Sequence, residues 1–286
     1  MNVLICLNYN TQDQVIWFLN ENKEALTLID KIIIVDNNSN DCTKLEAIQS
    51  NKIVFLQTGK NSGYAVGNNF GIKYAFDNYE NLANIVVSNS DIIVSKECLS
   101  TLFENLAFNK TYGLVSPLMK NANGSIEYSA WRFPSFFNSL LRLSFVIDLC
   151  IRKKSFYKNN VKLNQIVDAV QGSLMVFKAD ALKAINYFDE GIFLYSEEDI
   201  IGYKLKQEGF DVALITDEQY LHCHDYKKRT IKNYLSHYLW LNKDKLYFLK
   251  KYKKINWLQS IVFKGALYLC FVERFLVQVL RKIVRK

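Results

Sequence analysis

Short apolar runs alternate with helical periodicity through the first 115 residues. Residues 3–7 form a continuous apolar run closed by Asn8 and Asn10, which predicts a buried strand. A helix is expected over 11–22, then a second strand over 31–35 (KIIIV). Asp41 is expected to cap a helix running to residue 48. A third strand is expected at 52–56, a helix at 64–76 and a fourth strand at 84–87. Strands that alternate with helices predict a parallel α/β sheet covered on both faces. Ligands of such sheets bind at the carboxyl ends of the strands. The polar clusters at 8–10, 36–39, 61–63 and 88–91 all follow predicted strands or lie near them, so they are expected along one edge.

The middle of the chain is less regular. A strand is expected over 125–132, an apolar helix over 136–151, a loop over 153–161 and a strand around 171–173. Helices are expected at 179–185 and 196–208, with a strand between them and the tail at 212–215. Two helical stretches follow, 230–252 and 257–280. Charge sharpens this division. Residues 227–286 hold 16 Lys and Arg against 2 Asp and Glu, whereas residues 1–226 are slightly acidic. The expected organisation is therefore a body over 1–226, with halves 1–115 and 116–226, and a basic helical extension over 227–286. Half the residues are hydrophobic and 14% aromatic, which excludes a disordered chain. The six scattered cysteines contain no CxxC pair, which excludes a disulfide scaffold or a zinc ribbon. The first residues, MNVLICLNYN, lack a basic leader and a cleavage site, so a cytoplasmic chain is expected.

The first strand-to-helix turn, Asn8-Tyr9-Asn10-Thr11-Gln12, has no glycine, and no GxxxxGK[ST] loop occurs. Both glycine-based phosphate cradles are thereby excluded. A bound diphosphate would need another source of positive charge, and a divalent cation is the usual one. Asp91 follows an apolar strand and precedes Ile92-Ile93-Val94, where a carboxylate is costly unless it pairs or coordinates. A turn or capping Asp is the competing reading. Glu197-Glu198-Asp199 opens a predicted helix; dipole complementation explains acids there, but three in a row exceed what capping needs. Crowded carboxylates beside aromatic rings raise one another's pKa, which suits a general base. His222 and His224 share a face if the segment is extended, and one of them is a candidate metal ligand.

The motifs stand in a familiar order. They are Asn8-Tyr9-Asn10, Val35-Asp36-Asn37-Asn38-Ser39, the stretch Asn61-Ser62-Gly63 through Asn69, Ser88-Asn89-Ser90-Asp91, the stretch Tyr187-Phe188-Asp189-Glu190 through Asp199, and His222. Together they resemble the inverting family 2 glycosyltransferases, in the rhamnosyltransferase-like branch of bacterial surface-polysaccharide synthesis. The resemblance spans residues 1–226. It implies a GT-A fold, with a Rossmann-like nucleotide-binding half and a mixed central sheet. It implies a nucleotide-sugar donor (dTDP-rhamnose or a UDP-sugar), Mg²⁺ or Mn²⁺, and a polyprenyl-diphosphate-linked acceptor glycan of O-antigen or capsule type. Carried over by position, Asn10, Asp36, Asn61, Gly63, Asn89 and Asp91 would bind the donor, with Asp36 accepting from a pyrimidine N3–H. Asp91 and His222 would hold the metal. Glu197 or Glu198 would be the base, with Glu197 preferred. Gly172 and Ser173 would line the acceptor pocket. Trp131 and Arg132 are candidate acceptor contacts, against the reading that Trp131 is simply packed. The sequence departs from the family in having one carboxylate in Asn89-Ser90-Asp91 and Ile200 where relatives often carry Asp.

The basic extension is too apolar for a solvated nucleic-acid-binding arm, so no nucleic-acid partner is expected. Lys264, Glu273 and Arg274 disfavour a membrane span. An in-plane helix on the anionic inner face of the cell membrane is the expectation, and packing on the body is the alternative. Two other functions compete. A sugar-nucleotide pyrophosphorylase would need a glycine-rich basic loop after the first strand, which residues 9–14 lack. A non-catalytic carbohydrate- or nucleotide-binding or scaffold protein on the same fold would not need Asp91, Glu197 and His222.

Overall fold

The structure is a computed structural model that describes residues 1–127, 129–152, 165–223 and 230–284. Its first half repeats strand and helix: β1 (Asn2–Asn8), α1 (Gln12–Glu21), β2 (Lys31–Asp36), α2 (Thr43–Ala47), β3 (Ile53–Gln57), α3 (Tyr64–Asn78) and β4 (Asn84–Ser88). β3, β2, β1 and β4 pair in parallel in that spatial order. Their side chains alternate between two cores. Val3 and Ile5 face one, under α3, while Leu4 and Cys6 face the other with Val15 and Phe18 of α1. This double burial explains why the strands read as unbroken apolar runs.

Three further elements, β5 (Ile92–Val94), α4 (Lys96–Phe108) and β6 (Tyr112–Asn121), follow the Asp91 turn. The Ser95 hydroxyl accepts from Cys98 N–H and so caps α4. The middle then departs from expectation. The strand expected at 125–132 shrinks to β7 (Ala130–Trp131). The helix expected at 136–151 is two, α5 (Phe136–Leu141) and α6 (Phe145–Arg152), because the chain breaks at Leu143. Leu143 is fully buried, and its carbonyl accepts from Arg274 Nε at 2.9 Å and Tyr238 Oη at 3.2 Å. The loop expected at 153–161 lies outside the described residues. Residues 171–173 form the turn between β9 (Ala169–Val170) and β10 (Leu174–Lys178), preceded by β8 (Gln165–Val167). α7 (Ala179–Ala184), α8 (Glu197–Gln207) and β11 (Asp211–His222) complete the body.

β10 enters antiparallel between β4 and β6, and the long β11 runs parallel to β6. A register shift between Ile215 and Gln219 bends β11, so its first part pairs β8 and its last residues pair β5. The result is the mixed α/β sheet of a GT-A fold. The basic segment does not stand apart. α9 (Ile231–Lys251) and α10 (Trp257–Val284) place Phe248, Leu249, Phe263 and Leu267 in the same core as β1 and β10. Among the described residues, no helix is long and apolar enough to cross a membrane.

Candidate active site

The carboxyl ends of β1 and β2 are tied by one buried carboxylate. Asp36 Oδ1 accepts from Asn8 Nδ2 at 2.7 Å and from Ser39 Oγ at 2.5 Å, and its Oδ2 accepts from Ser39 N–H at 2.9 Å. Asn37 Nδ2 reaches Asn61 Oδ1 at 3.0 Å and the Gly63 carbonyl at 3.2 Å, fixing the second polar loop. Gly63 has φ +97°, and a Cβ there would lie 2.3 Å from the Phe193 carbonyl. Only glycine fits both the conformation and the contact. The Phe193 carbonyl accepts from Tyr64 N–H at 2.8 Å, so the start of α3 meets the loop that leads to the acidic triplet.

From there a chain of contacts crosses the sheet edge. Tyr64 Oη donates to the Gly172 carbonyl at 3.1 Å. A Cβ on Gly172 would lie 3.0 Å from Glu198 Oε1, so glycine lets that carboxylate approach the backbone. The next residue, Ser173, accepts at its carbonyl from Asn89 N–H at 2.9 Å. Two residues on, Asp91 Oδ1 stands 3.3 Å from His222 Nε2, both side chains largely buried. The pairing of β11 with β5, His222 opposite Ile92, sets this approach. A continuous run of contacts therefore connects Asp91, Glu198 and His222 although they are far apart in sequence.

Electrostatics separates the acids. Burial pushes the Glu197 carboxyl well above the ordinary range, and the neighbouring Glu198 adds to the shift. Glu197 Oε2 is buried without a hydrogen-bond partner among the described residues, which a neutral carboxyl tolerates better than a charged one. Glu198 is only partly covered; burial raises it to about 7, with the charge of Asp199 contributing. Asp199 is buried and accepts from the Trp131 indole N–H at 2.8 Å.

The sequence profile of Glycosyl transferase family 2 matches residues 4–185. The chain belongs to that family. It is 24% identical over 210 residues to a low-salt glycan biosynthesis hexosyltransferase, Agl10, of Haloferax volcanii, covering 73% of this chain and 63% of that one. It is 24% identical over 182 residues to the rhamnosyltransferase WbbL of Escherichia coli, covering 63% and 67%. It is also 24% identical over 202 residues to an N-acetylglucosaminyl-diphospho-decaprenol L-rhamnosyltransferase of Mycobacterium tuberculosis, covering 67% and 66%. The chain thus spans about two thirds of the length of these curated relatives. Among solved structures, it superposes on GalNAc-T7 with UDP, GalNAc and Mn²⁺ with a TM-score of 0.57 at 14% identity, covering 93% of this chain and 54% of that one. Staphylococcus aureus TarS 1-349 gives 0.52 at 15%, covering 96% and 71%. These likenesses show the fold.

Not every residue carried over from the family 2 pattern sits as expected. Asp36 is wholly buried and its carboxylate is engaged by Asn8 and Ser39, so it organises the turn that follows β2. The Ser173 hydroxyl is spent 2.6 Å from Tyr220 Oη, leaving Gly172 as the member of that pair that meets Glu198. Trp131 is held by Asp199, which favours the packed reading, and Arg132 lies 3.6 Å from Asp168. Asn10, at φ 57°, borders the first polar loop, with Oδ1 accepting from Asn40 N–H at 2.9 Å. His224 lies outside the described residues. Asp91 and His222 offer one oxygen and one nitrogen donor side by side, a set that fits Mg²⁺ or Mn²⁺ when phosphate oxygens and water supply the other positions. Among the described residues there is no cluster of three His, Cys, Asp or Glu, so such an ion would lean on the donor.

The sequence reading missed Asp244. From α9 its Oδ2 accepts from the backbone N–H groups of Leu194 at 3.3 Å and Tyr195 at 3.1 Å, just ahead of the acidic triplet. The available signal was its place as one of two acids in a strongly basic segment.

Proposed function

We propose that this family 2 protein transfers one sugar from a nucleotide-sugar donor to a hydroxyl of a lipid-linked glycan, inverting the anomeric centre. The observation that carries the reading is the contact chain from Glu198 through Gly172 and Ser173 to Asn89 and Asp91. It links a titratable carboxyl to a metal-compatible pair along the sheet edge, which supports the reading. The polar loops around Asn10, Asn61 and Gly63 would receive the nucleoside. Asp91 and His222 would hold a divalent cation, which supplies positive charge to a leaving diphosphate when bound.

Glu198 is the base in this reading, and not the Glu197 that the sequence favours. A general base must be reachable and poised near the working pH. Glu198 is partly exposed and burial pushes its carboxyl up to about 7, whereas Glu197 is buried and burial, with Glu198 beside it, pushes its carboxyl well above the ordinary range. The acceptor hydroxyl oxygen bonds to the anomeric carbon, its proton passes to Glu198, and the bond from that carbon to the diphosphate oxygen breaks. The electron pair leaves with the nucleoside diphosphate, so no enzyme nucleophile is needed. The donor is dTDP-rhamnose or a UDP-sugar. The relatives named as rhamnosyltransferases support the first, and the mycobacterial relative's name supports a polyprenyl-diphosphate-linked acceptor.

The outer face of α10 is apolar and exposed, which supports peripheral attachment to an anionic inner membrane surface where such an acceptor resides. The test is product formation from dTDP-rhamnose and UDP-sugars with a short-chain prenyl-diphosphate N-acetylglucosamine acceptor. Asp91→Ala is expected to abolish the Mn²⁺-stimulated component with an unchanged melting temperature. Metal-stimulated turnover that survives in Asp91→Ala would refute the site.

A further inference from the structure

α9 lays one stripe along the loop that leads to Glu197. His237, Trp240, Asp244, Tyr247 and Lys251 are spaced three and four residues apart and so share a helix face. Lys251 Nζ and Tyr247 Oη grip Asp189 at 2.8 and 3.1 Å, and Asp244 accepts from Leu194 and Tyr195 N–H. The His237 ring lies 4.7 Å from that of Tyr195. One pair in the stripe is left open. Phe193 and Trp240 stand with ring centroids 6.1 Å apart and tilted 51°, and they are 43% and 49% exposed. Two large aromatic faces left half in water forgo burial that packed rings obtain.

Their position gives them a use. The Phe193 backbone touches Gly63 and Tyr64 of the donor-side loop, and the chain reaches Glu197 four residues later. The pair therefore flanks the path between the donor loop and the base, where an incoming hydroxyl must arrive. The loop is held at both ends, so the rings are pre-organised. A pyranose presents a face of C–H groups that suits the electron-rich face of an aromatic ring, while its hydroxyls stay at the wet rim. We infer that Phe193 and Trp240 form an aromatic platform for a pyranose ring of the acceptor glycan. This rests on the glycosyl-transfer reading for its biological sense but is testable apart from it.

The experiment is saturation-transfer NMR on the full chain with methyl glycosides of N-acetylglucosamine, rhamnose, glucose and galactose. Ring C–H protons of at least one sugar should receive saturation. Trp240→Ala should weaken that binding about tenfold, Trp240→Phe should retain most of it, and melting temperatures should match. If Trp240→Ala fails to fold, Phe193→Ala carries the same test. The platform is overturned if no glycoside is saturated by the unaltered protein, if Trp240→Ala binds equally well, or if Trp240→Phe loses as much as Trp240→Ala. A loss of binding to phosphatidylglycerol vesicles with sugar binding intact would also overturn it, by making this face a membrane contact. UDP and dTDP titrations on the same samples report the donor side. Failure of both nucleotides with sugar stacking intact counts against glycosyl transfer and not against the platform.

Discussion

Two adjacent glutamates in the same first helical turn are set in different environments by what surrounds them. Glu197 points into protein, and Glu198 points at the bare backbone of Gly172. The sign of the pH dependence follows. A base must be ionised, so kcat should rise as pH passes through about 7, the value to which burial raises Glu198. Glu198→Gln should lower kcat by about 10²- to 10⁴-fold and leave donor affinity unchanged. Glu197→Gln should keep activity within about tenfold, because the amide keeps the shape of the buried carboxyl and the base of this reading is untouched. Steady-state kinetics of both variants between pH 5 and 9 decide the matter; a dead Glu197→Gln beside an active Glu198→Gln would reverse the assignment. Gly202 offers a packing test of the same helix. A Cβ there would lie 1.9 Å from the Asp168 carbonyl, so Gly202→Ala should destabilise by about 1–3 kcal/mol, read as a lower melting temperature.

Among the elements, those read most directly from sequence are buried on both faces or capped by a recognisable residue. β1, β2 and β4 announce themselves as apolar runs, and α8 opens on its acids. What the pattern hid depends on distant partners. β10 reads ambiguously because its turn, Gln171–Ser173, is shaped by Glu198 and Tyr220 from elsewhere. The break between α5 and α6 answers to Arg274, more than a hundred residues away. Of the proposed site, the family motifs pointed to loops that the contacts of Gly63, Gly172 and Asn89 join, whereas the different burial of Glu197 and Glu198 depends on the folded surroundings and has no signal in the sequence. α9 was legible as helical, whereas its stripe toward the 189–195 loop was masked by interleaved lysines. That stripe makes Asp244 a positioning residue. Asp244→Leu removes the acceptor for two loop N–H groups, and a shift of about 1 Å in a catalytic group costs on the order of 10²-fold. The expected result is that loss in kcat with donor KM unchanged, and substantial rescue in Asp244→Asn, which keeps an acceptor oxygen. A loss confined to donor KM, or no rescue by Asn, would refute positioning.

At the scale of the molecule, α10 has one face packed on the body and one apolar face left exposed. Phe263, Leu267 and Arg274 are buried against the body, and Arg274 donates to the carbonyls of Leu143 and Arg142 and to Tyr234. On the other side Leu258, Ile261, Tyr268, Leu269, Val272 and Leu276 are 54–75% exposed, along a helix of about 40 Å. An exposed apolar stripe of that length is the physical basis of the membrane contact proposed above. The surplus of 16 basic over 2 acidic residues in 227–286 makes an anionic bilayer the better match than a second copy, which would bring the same charge against itself. Deleting the helix would not isolate this role, because Phe263 and Leu267 leave a core that β1 and β10 also line. Leu269→Glu with Leu276→Glu changes only the outer face. The double variant should keep its melting temperature and its turnover of a short-chain, water-soluble acceptor. It should lose sedimentation with phosphatidylglycerol vesicles and activity on a vesicle-embedded long-chain acceptor. Binding of the unaltered protein should weaken as salt rises, since screening removes the contribution of Lys and Arg while leaving the apolar part. Unchanged sedimentation of the double variant would show that the outer face of α10 does not meet the membrane, and a drop from dimer to monomer would assign it to a second copy instead.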